Sequence, residues 1–437
     1  MSEKSFQSVD QDIASRQVFL PCCGVHSLNA DIHHLLEGYL AREEFQAFLQ
    51  VNKQVRGEYI GYRYISLSKK YSLQFVENEQ FRNRVSSLIL DPRRQLALNQ
   101  NFKNCSSLMD ASVLGGVHTL TLTNCSGITD VRGLGGVHTL KLNLCCNISD
   151  ICALGGVHTL YLTNCPGITD ISALGGVHTL NMTGCSGVTD VSALGGVHTL
   201  NLTGCSGVAD VSALGGVHTL YLCKCSGVTD VSALGGVHTL NLSGCTGVMD
   251  VSALGGVHTL DLRGCSNVMD VNSLGGVHTL DLRGCSSVQS LGVSALGGVN
   301  TLDLSGCCHV SDVSTLGRVH TLTLWNCSGV TDVSALGGVR AVHLICCDNI
   351  TDVSALGGVH TLTLRDCSNI TDVSALGGVH TLTLWSCPNI TDVSALGGVY
   401  TLTLRDCCNV TGVRALGGVH ALIQDIHQES RASCLIS

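Results

Sequence analysis

Three residue types able to do chemistry recur on a beat of twenty residues. Cysteine returns sixteen times from Cys105 through Cys125 and Cys165 to Cys407, histidine thirteen times from His118 to His420, and aspartate fourteen times from Asp110 to Asp392. Thiols one strand apart lie within disulfide reach, and small buried thiols fill a turn equally well. Imidazoles stacked at strand spacing offer nitrogens to a transition metal. Yet His118 and Cys125 stand at opposite ends of one strand, and no carboxylate accompanies the histidine. Calcium-binding solenoids set their aspartate within G-G-x-G-x-D, which is absent. The three columns therefore read as packing thiols, a structural imidazole ladder and turn caps, with no metal and no cofactor. A metal- or redox-responsive His/Cys ladder is the remote alternative.

The element that positions these columns is one repeated unit. From Val117 the apolar residues are Val117, Leu120, Leu122, Cys125, Ile128, Val131 and Leu134. Leu120-Thr121-Leu122 alternates with period two, which predicts a short strand with its leucines on one side. The remainder is too short for an ordinary helix. Gly115-Gly116 supplies the backbone freedom of a sharp bend, because glycine alone takes positive φ cheaply. Asp130 and its equivalents precede "DVSAL"-type phrases and are expected to accept hydrogen bonds from following amides. One unit cannot bury seven apolar positions alone. Stacked units pair their strands in parallel and join the apolar side chains into one column. The phrase starts sixteen times between Leu114 and Leu416. At strand spacing that makes a rod roughly 75 Å long. Ser286–Leu296 carries two extra residues and lacks its aspartate, predicting a bulge in the return loop and an unbroken core.

This pattern resembles the leucine-rich repeat, and "LNLTGCSGVTDVSAL"-type phrases resemble its cysteine-containing subclass, with cysteine where asparagine often stands. The resemblance implies a repeat solenoid of about 16 short, 20-residue rungs with a parallel β-sheet face and minimal return turns. Members of the subclass usually carry a longer, helical return, so a flatter and less curved solenoid is expected here.

The letters that change are concentrated on the outward side of the strand. The column through Thr121 runs through Lys141, Tyr161, Asn181, Asn201, Tyr221, Asn241, Asp261, Asp281 and Asp303 to Thr323 and His343. The column through Thr123 reaches Arg263, Arg283, Trp325, Arg365, Trp385 and Arg405, and holds the chain's two tryptophans. Inward positions cannot vary without leaving cavities, which explains part of the bias. Tryptophan and arginine, however, are the residue types that dominate binding interfaces. The expected partner-binding face is therefore Tyr161, Tyr221, an Asp261/Arg263/Asp281/Arg283/Asp303 checkerboard, and a second cluster of Trp325, Arg365, Asp366, Trp385, Arg405 and Asp406. Its partner is a protein target.

The N-terminal part differs in composition. All seven phenylalanines lie at or before Phe102. Ile32, Leu35, Leu36, Tyr39 and Leu40 have helical spacing, and Phe45, Phe48, Leu49 and Val51 form a second amphipathic stretch. The order Leu28, Asp31, Ile32, Leu36, Tyr39-Leu40, Phe45, Phe48, Val51, Lys53 resembles an F-box, with Asn29 where that family usually has proline and Val55 where it often has tryptophan. The resemblance implies a small α-helical module docking on the Skp-type adaptor of a cullin–RING ubiquitin ligase through Leu28, Ile32, Leu36, Leu40, Phe45 and Val51, with the repeats choosing the substrate. The expected organisation is a flexible N-terminus (1–24), an F-box-like module (25–68), a linker and capping rung containing Leu88 and Leu90 (69–113), the solenoid (114–422) and a tail (423–437).

Composition limits the alternatives. A formal charge of −9 argues against non-specific attraction to nucleic acid or anionic membrane. No run approaches the roughly 18 apolar residues of a membrane span. "MSEKSFQSVDQDIASRQ" has no apolar signal segment, so the 25 cysteines are expected reduced in the cytoplasm, or in host cytoplasm or nucleus for a viral chain. Repeats this uniform resemble those of protists and their large DNA viruses. Repeated residues give repeated sites, whereas catalysis needs one asymmetric site, so no enzyme is expected. The sequence reads as a ubiquitin-ligase substrate adaptor or, alternatively, a plain leucine-rich-repeat scaffold.

Overall fold

The computed structural model describes residues 111–425 except Cys408, the strands Tyr64–Leu67 and Gln95–Lys103, and the single residues Phe75, Gln80 and Asn83. The chain divides into two compact units, Met1–Gln100 and Asn101–Ser437. In the first, Tyr64–Leu67 pairs in parallel with residues 95–98, Tyr64 opposite Gln95. The expected helical module at 25–68 lies outside the described residues up to this strand, as do 1–24, Leu88 and Leu90. Its last residues are extended, because their backbone is engaged in that ladder.

Among the described residues the second unit holds sixteen parallel strands from Val117–Thr123 to Ala421–Asp425. Each pairs with the copy one repeat later without a register slip: Leu120 lies opposite Leu140, Leu260 opposite Leu280, Leu382 opposite Leu402. Constant register follows from the inward leucines, since a one-residue slip would turn them all to water. In the rung starting at Val197, Val197, Leu200, Leu202, Cys205, Val208 and Leu214 are fully buried and Val211 is nearly so. The same seven columns run buried along the stack up to its C-terminal end, where Cys407, Val410 and Val413 are half-buried and Leu422 is exposed.

The return segment is more ordered than a bare turn. Ser192–Gly196 and its equivalents form one turn of 3-10 helix. The turn opens where Asp190 Oδ1 accepts the Ser192 amide at 2.9 Å and closes where the Val197 amide donates to Leu194 O at 3.0 Å. Thirteen described aspartates of this column make the same bond, from Asp130 to Asp392.

The glycine pair has a different cause from the one expected. Gly115 and Gly135 have φ of −62° and −61°, in the ordinary right-handed region. A methyl group on Gly155 would instead fall onto the Ala173 carbonyl oxygen of the next rung, and one on Gly175 onto that of Ala193. Close packing of successive turns, and no special backbone angle, demands glycine there.

The two extra residues of the irregular rung form a helical turn, Ser290–Val293, while Val288, Val293 and Leu296 stay buried. At the far end the ladder runs further than expected. Ile423 pairs opposite Thr403 and Asp425 opposite Arg405, so the first residues of the supposed tail complete the last strand. No helix among the described residues is long and apolar enough to cross a membrane.

Candidate functional site

The copied columns are satisfied within the scaffold. Cys205 Sγ donates to Met182 O of the preceding rung at 3.1 Å, and Cys265 Sγ to Leu242 O at 3.1 Å. Burial pushes both thiols up to about 12, so neither is poised as a thiolate. The imidazoles from His118 to His278 stack ring on ring, with centroids 4.5–4.7 Å apart. Each Nδ1 lies against the following threonine hydroxyl, at 3.2 Å for His198 and Thr199. Among the described residues no group of three or more His, Cys, Asp or Glu is arranged to hold a metal.

The changed letters follow a rule that joins two columns. Six rungs carry Asn or Asp in the column of residue 121: Asn181, Asn201, Asn241, Asp261, Asp281 and Asp303. In all six the residue three positions later is a glycine with φ between 70° and 74°. The side chain accepts the amide two residues on, as Asn201 Oδ1 does from Thr203 at 2.9 Å and Asp261 Oδ1 from Arg263 at 3.0 Å. The cysteine amide then closes on its own leucine carbonyl, Cys205 on Leu202 O at 2.9 Å. Nine of the other ten rungs put Asn, Asp, Ser, Cys, Leu or Lys in that left-handed position, at φ 49° to 59°. Sequence reading missed this pairing, although Asn or Asp followed by glycine was visible in every one of the six.

The checkerboard consumes its own charge. Arg263 grips Asp261, with Nη2 2.5 Å from Oδ2, and its Nε lies 3.6 Å from Asp281. Arg283 repeats this with Asp281 at 2.6 Å and Asp303 at 3.5 Å. Asp303 also accepts the Ser305 amide at 2.9 Å, and burial raises its carboxyl. Each of these five residues thus has a partner within the zipper.

The C-terminal cluster is built differently. From Thr321–Trp325 to Thr401–Arg405 the strands are five residues long, against three in the eight strands before them. The outward column here reads Trp325, Ile345, Arg365, Trp385, Arg405 in direct register. The Arg365 guanidinium sits 3.8 Å from the Trp385 ring centroid and that of Arg405 5.7 Å from it. Trp385 donates from Nε1 to Asp406 at 3.2 Å, and Arg365 donates from Nε to Asp366 at 3.0 Å. Asp366 and Asp406 occupy the left-handed position at the strand exit. Trp325 is 53 % exposed, the more open of the two tryptophans. Tyr161 lies apart from this cluster, half-buried under Lys141 at 4.6 Å, and Tyr221 is half-buried with asparagines on both sides. A further apolar group, Met249, Met269 and Leu291, is exposed on the return side near the helical turn.

No protein-family model and no curated protein matches the chain. Solved structures do resemble it. A leucine-rich-repeat protein of Leptospira interrogans superposes with a TM-score of 0.52 at 16% identity, over 76% of this chain and 96% of its own. The functional domain of InlJ from Listeria monocytogenes, which includes a cysteine ladder, gives 0.43 at 19% identity over 69% of this chain, which spans 66% of that domain. An internalin, InlF, from the same species gives 0.38 at 19% identity, over 67% and 81%. With the ladder and its register, the Leptospira likeness fixes the fold as a leucine-rich-repeat solenoid.

Proposed function

We propose that this chain is a non-catalytic protein-binding scaffold. Its C-terminal strand face takes the partner, and residues 25–68 tie it to a Skp-type adaptor of a cullin–RING ubiquitin ligase. One observation carries the first half: large interface-type side chains fill the outward column of five successive five-residue strands, from Trp325 to Arg405, while the inward columns hold nothing but core. The Asp/Arg zipper pairs its charges within itself and is the weaker candidate surface. The second half rests on the F-box-like order of Leu28, Ile32, Leu36, Leu40, Phe45 and Val51, and the compartment is then the cytoplasm or, for a viral chain, that of its host. Mixing the purified chain with a recombinant Skp-type adaptor tests it. Capture that Leu28→Ala with Ile32→Ala abolishes, while the solenoid's circular dichroism is unchanged, supports the adaptor role. Wild-type protein that captures no adaptor leaves the plain scaffold.

A further inference from the structure

The return side gathers apolar side chains at one place. From Thr129 to Thr411 the position before the capping aspartate, or its equivalent, holds threonine, serine, alanine or glutamine, except in two successive rungs, where it is Met249 and Met269. Met249 is 65% exposed and Met269 58%, and Leu291, on the helical turn of the following rung, is 78% exposed. Apolar residues scattered singly on a surface are ordinary; three on consecutive rungs are not.

The turn that carries Leu291 is fixed. Ser290 Oγ accepts the Ser311 amide at 2.8 Å, and Ser294 donates from Oγ to Leu291 O at 2.7 Å. A methyl group on Gly292 would come 3.0 Å from Val271 Cγ2, so the turn is pressed onto the rung of Met269. Beside Leu291 opens a depression of about 380 Å³, lined by Gln289, Ser290, Leu291 and His309. From Met249 to Leu291 is two rung steps, about 9 Å. Seven residues of α-helix cover about 10 Å.

The flanks of the patch are negative. Asp230, Asp250, Asp270 and Asp312 are exposed, and each offers Oδ1 to the amide two residues on. Hydrogen bonds from Ser232, Ser252 and Ser314 hold the carboxyls of Asp230, Asp250 and Asp312 below their ordinary value of 3.8. The ion pairs among the described residues include none of the four. From Cys145 to Gly398, the segments that run from each ladder cysteine to the end of its 3-10 turn hold one arginine, Arg318, and no lysine.

We infer that this patch docks a basic amphipathic helix of a partner protein. Its apolar side sits on Met249, Met269 and Leu291, and its lysines or arginines face the flanking aspartates. Unbranched, polarisable methionine adapts to apolar side chains of several shapes. A helix laid on such a surface is read through apolar anchors at i, i+3, i+4 and i+7, which is the reach of the patch. A second copy of this chain would bring its own aspartates against these, and an anionic membrane would be repelled by the same charges. The surface goes beyond the strand-face reading and does not depend on it.

Fluorescence anisotropy of the labelled peptide LKKLLKLLKKLLKL, titrated with the full chain, should show saturable one-to-one binding. The equally charged SKKSSKSSKKSSKS should bind about tenfold more weakly or worse, and so should the first peptide to Met249→Ser with Met269→Ser and Leu291→Ser. Asp250→Asn with Asp270→Asn keeps both caps, because the carboxamide oxygen accepts the same amide, and should weaken binding about threefold. Asp352→Asn with Asp372→Asn removes as much charge several rungs away and should leave affinity unchanged. Circular dichroism of every variant should match wild type. Equal binding of the serine peptide, or binding indifferent to the Met249/Met269/Leu291 variant, overturns the site. Equal loss from the two aspartate pairs reduces the binding to general attraction by an acidic rod and overturns it too. Self-association of the wild type that the Met249/Met269/Leu291 variant abolishes assigns the patch to a second copy and overturns the basic partner. None of these variants touches Trp325, Arg365 or Trp385, so the strand-face reading stands or falls by its own test.

Discussion

The rungs from Asn181 to Asp303 and those from Thr323 to Thr403 speak almost the same sentence, yet they finish their strands differently. In six of the seven rungs of the first group an Asn or Asp side chain takes the amide two residues on and a glycine turns left-handed; the seventh has Tyr221 and Lys224 there, and all seven strands stop after three residues. In the second, threonine or histidine stands where that acceptor was, and the strand runs two residues further. The thiols register the change: Cys245 donates to the preceding rung at 3.0 Å, whereas Cys387 lies 3.5 Å from that carbonyl and 3.4 Å from one on its own strand. The Asn or Asp acceptor with its left-handed glycine thus accompanies six of the three-residue strands and none of the five-residue ones, although the rungs of Tyr161 and Tyr221 are short without it. The closed rungs satisfy their own polar groups, and the extended ones carry tryptophan, isoleucine and arginine outward.

Damage to the inward columns should ignore this division, and it has the largest expected effect. Leu262→Ala and Leu384→Ala are each expected to cost about 2–5 kcal/mol in urea unfolding followed by circular dichroism. A large disparity would mean that the two groups differ in the core as well. Next comes binding. Trp385→Ala with Arg365→Ala should weaken an identified partner by about 2 kcal/mol or more by calorimetry, while His198→Ala leaves affinity unchanged. The reverse pattern would move the interface to the copied letters.

The turn position sharpens the comparison further. Gly264→Val forces a branched side chain to φ 70° and should cost about 1–3 kcal/mol. Ser386→Gly relieves a left-handed serine and should gain up to about 1 kcal/mol in the same assay. Acidification should act on both groups of rungs in two stages. Partial desolvation in the stack, then the charges of His158 and His198, hold the His178 pKa below its ordinary value of 6.5. The unfolded chain therefore takes up protons that the folded one refuses, and stability is lost as pH falls through the region below 6.5. A second loss begins below the ordinary carboxylate value of 3.8, where capping aspartates such as Asp190 and Asp210, lowered by their bonds to Ser192 and Ser212, become protonated. Thermal unfolding between pH 8 and 3 should show both declines; a flat profile to pH 4 would remove the histidine contribution. The smallest effect belongs to the zipper. Arg263→Met should change stability by no more than about 1 kcal/mol, because its guanidinium is 44% exposed and solvent screens the pair.

The solenoid was legible because seven inward columns at fixed spacing leave one way to bury them. The aspartate caps were legible too, since their chemistry is local. The role of Gly155 was not: a demand for positive φ and a demand for space look alike within one rung, and only the Ala173 carbonyl of the next copy separates them. The tryptophan and arginine column was found from residue type alone. That Arg263 is held by Asp261 and Asp281 while Arg365 lies over Trp385 depended on how neighbouring side chains lean across twenty residues of sequence. The F-box-like segment is outside the described residues, so its reading remains that of the sequence.

The helical turn Ser290–Val293 shows what the architecture tolerates. Two residues were added to the return path, yet Leu280 and Leu302 face each other as any other pair does. The stack therefore keeps time by its strands and not by the spacing of the chain between them. Loop closure costs little more when a short connection lengthens slightly. The return side is in that sense a margin on which new text can be written, and a peptide tag or enzyme-cleavage sequence grafted beside the exposed Leu291, leaving the Ser290 hydroxyl on the Ser311 amide, would be displayed without disturbing the printed lines.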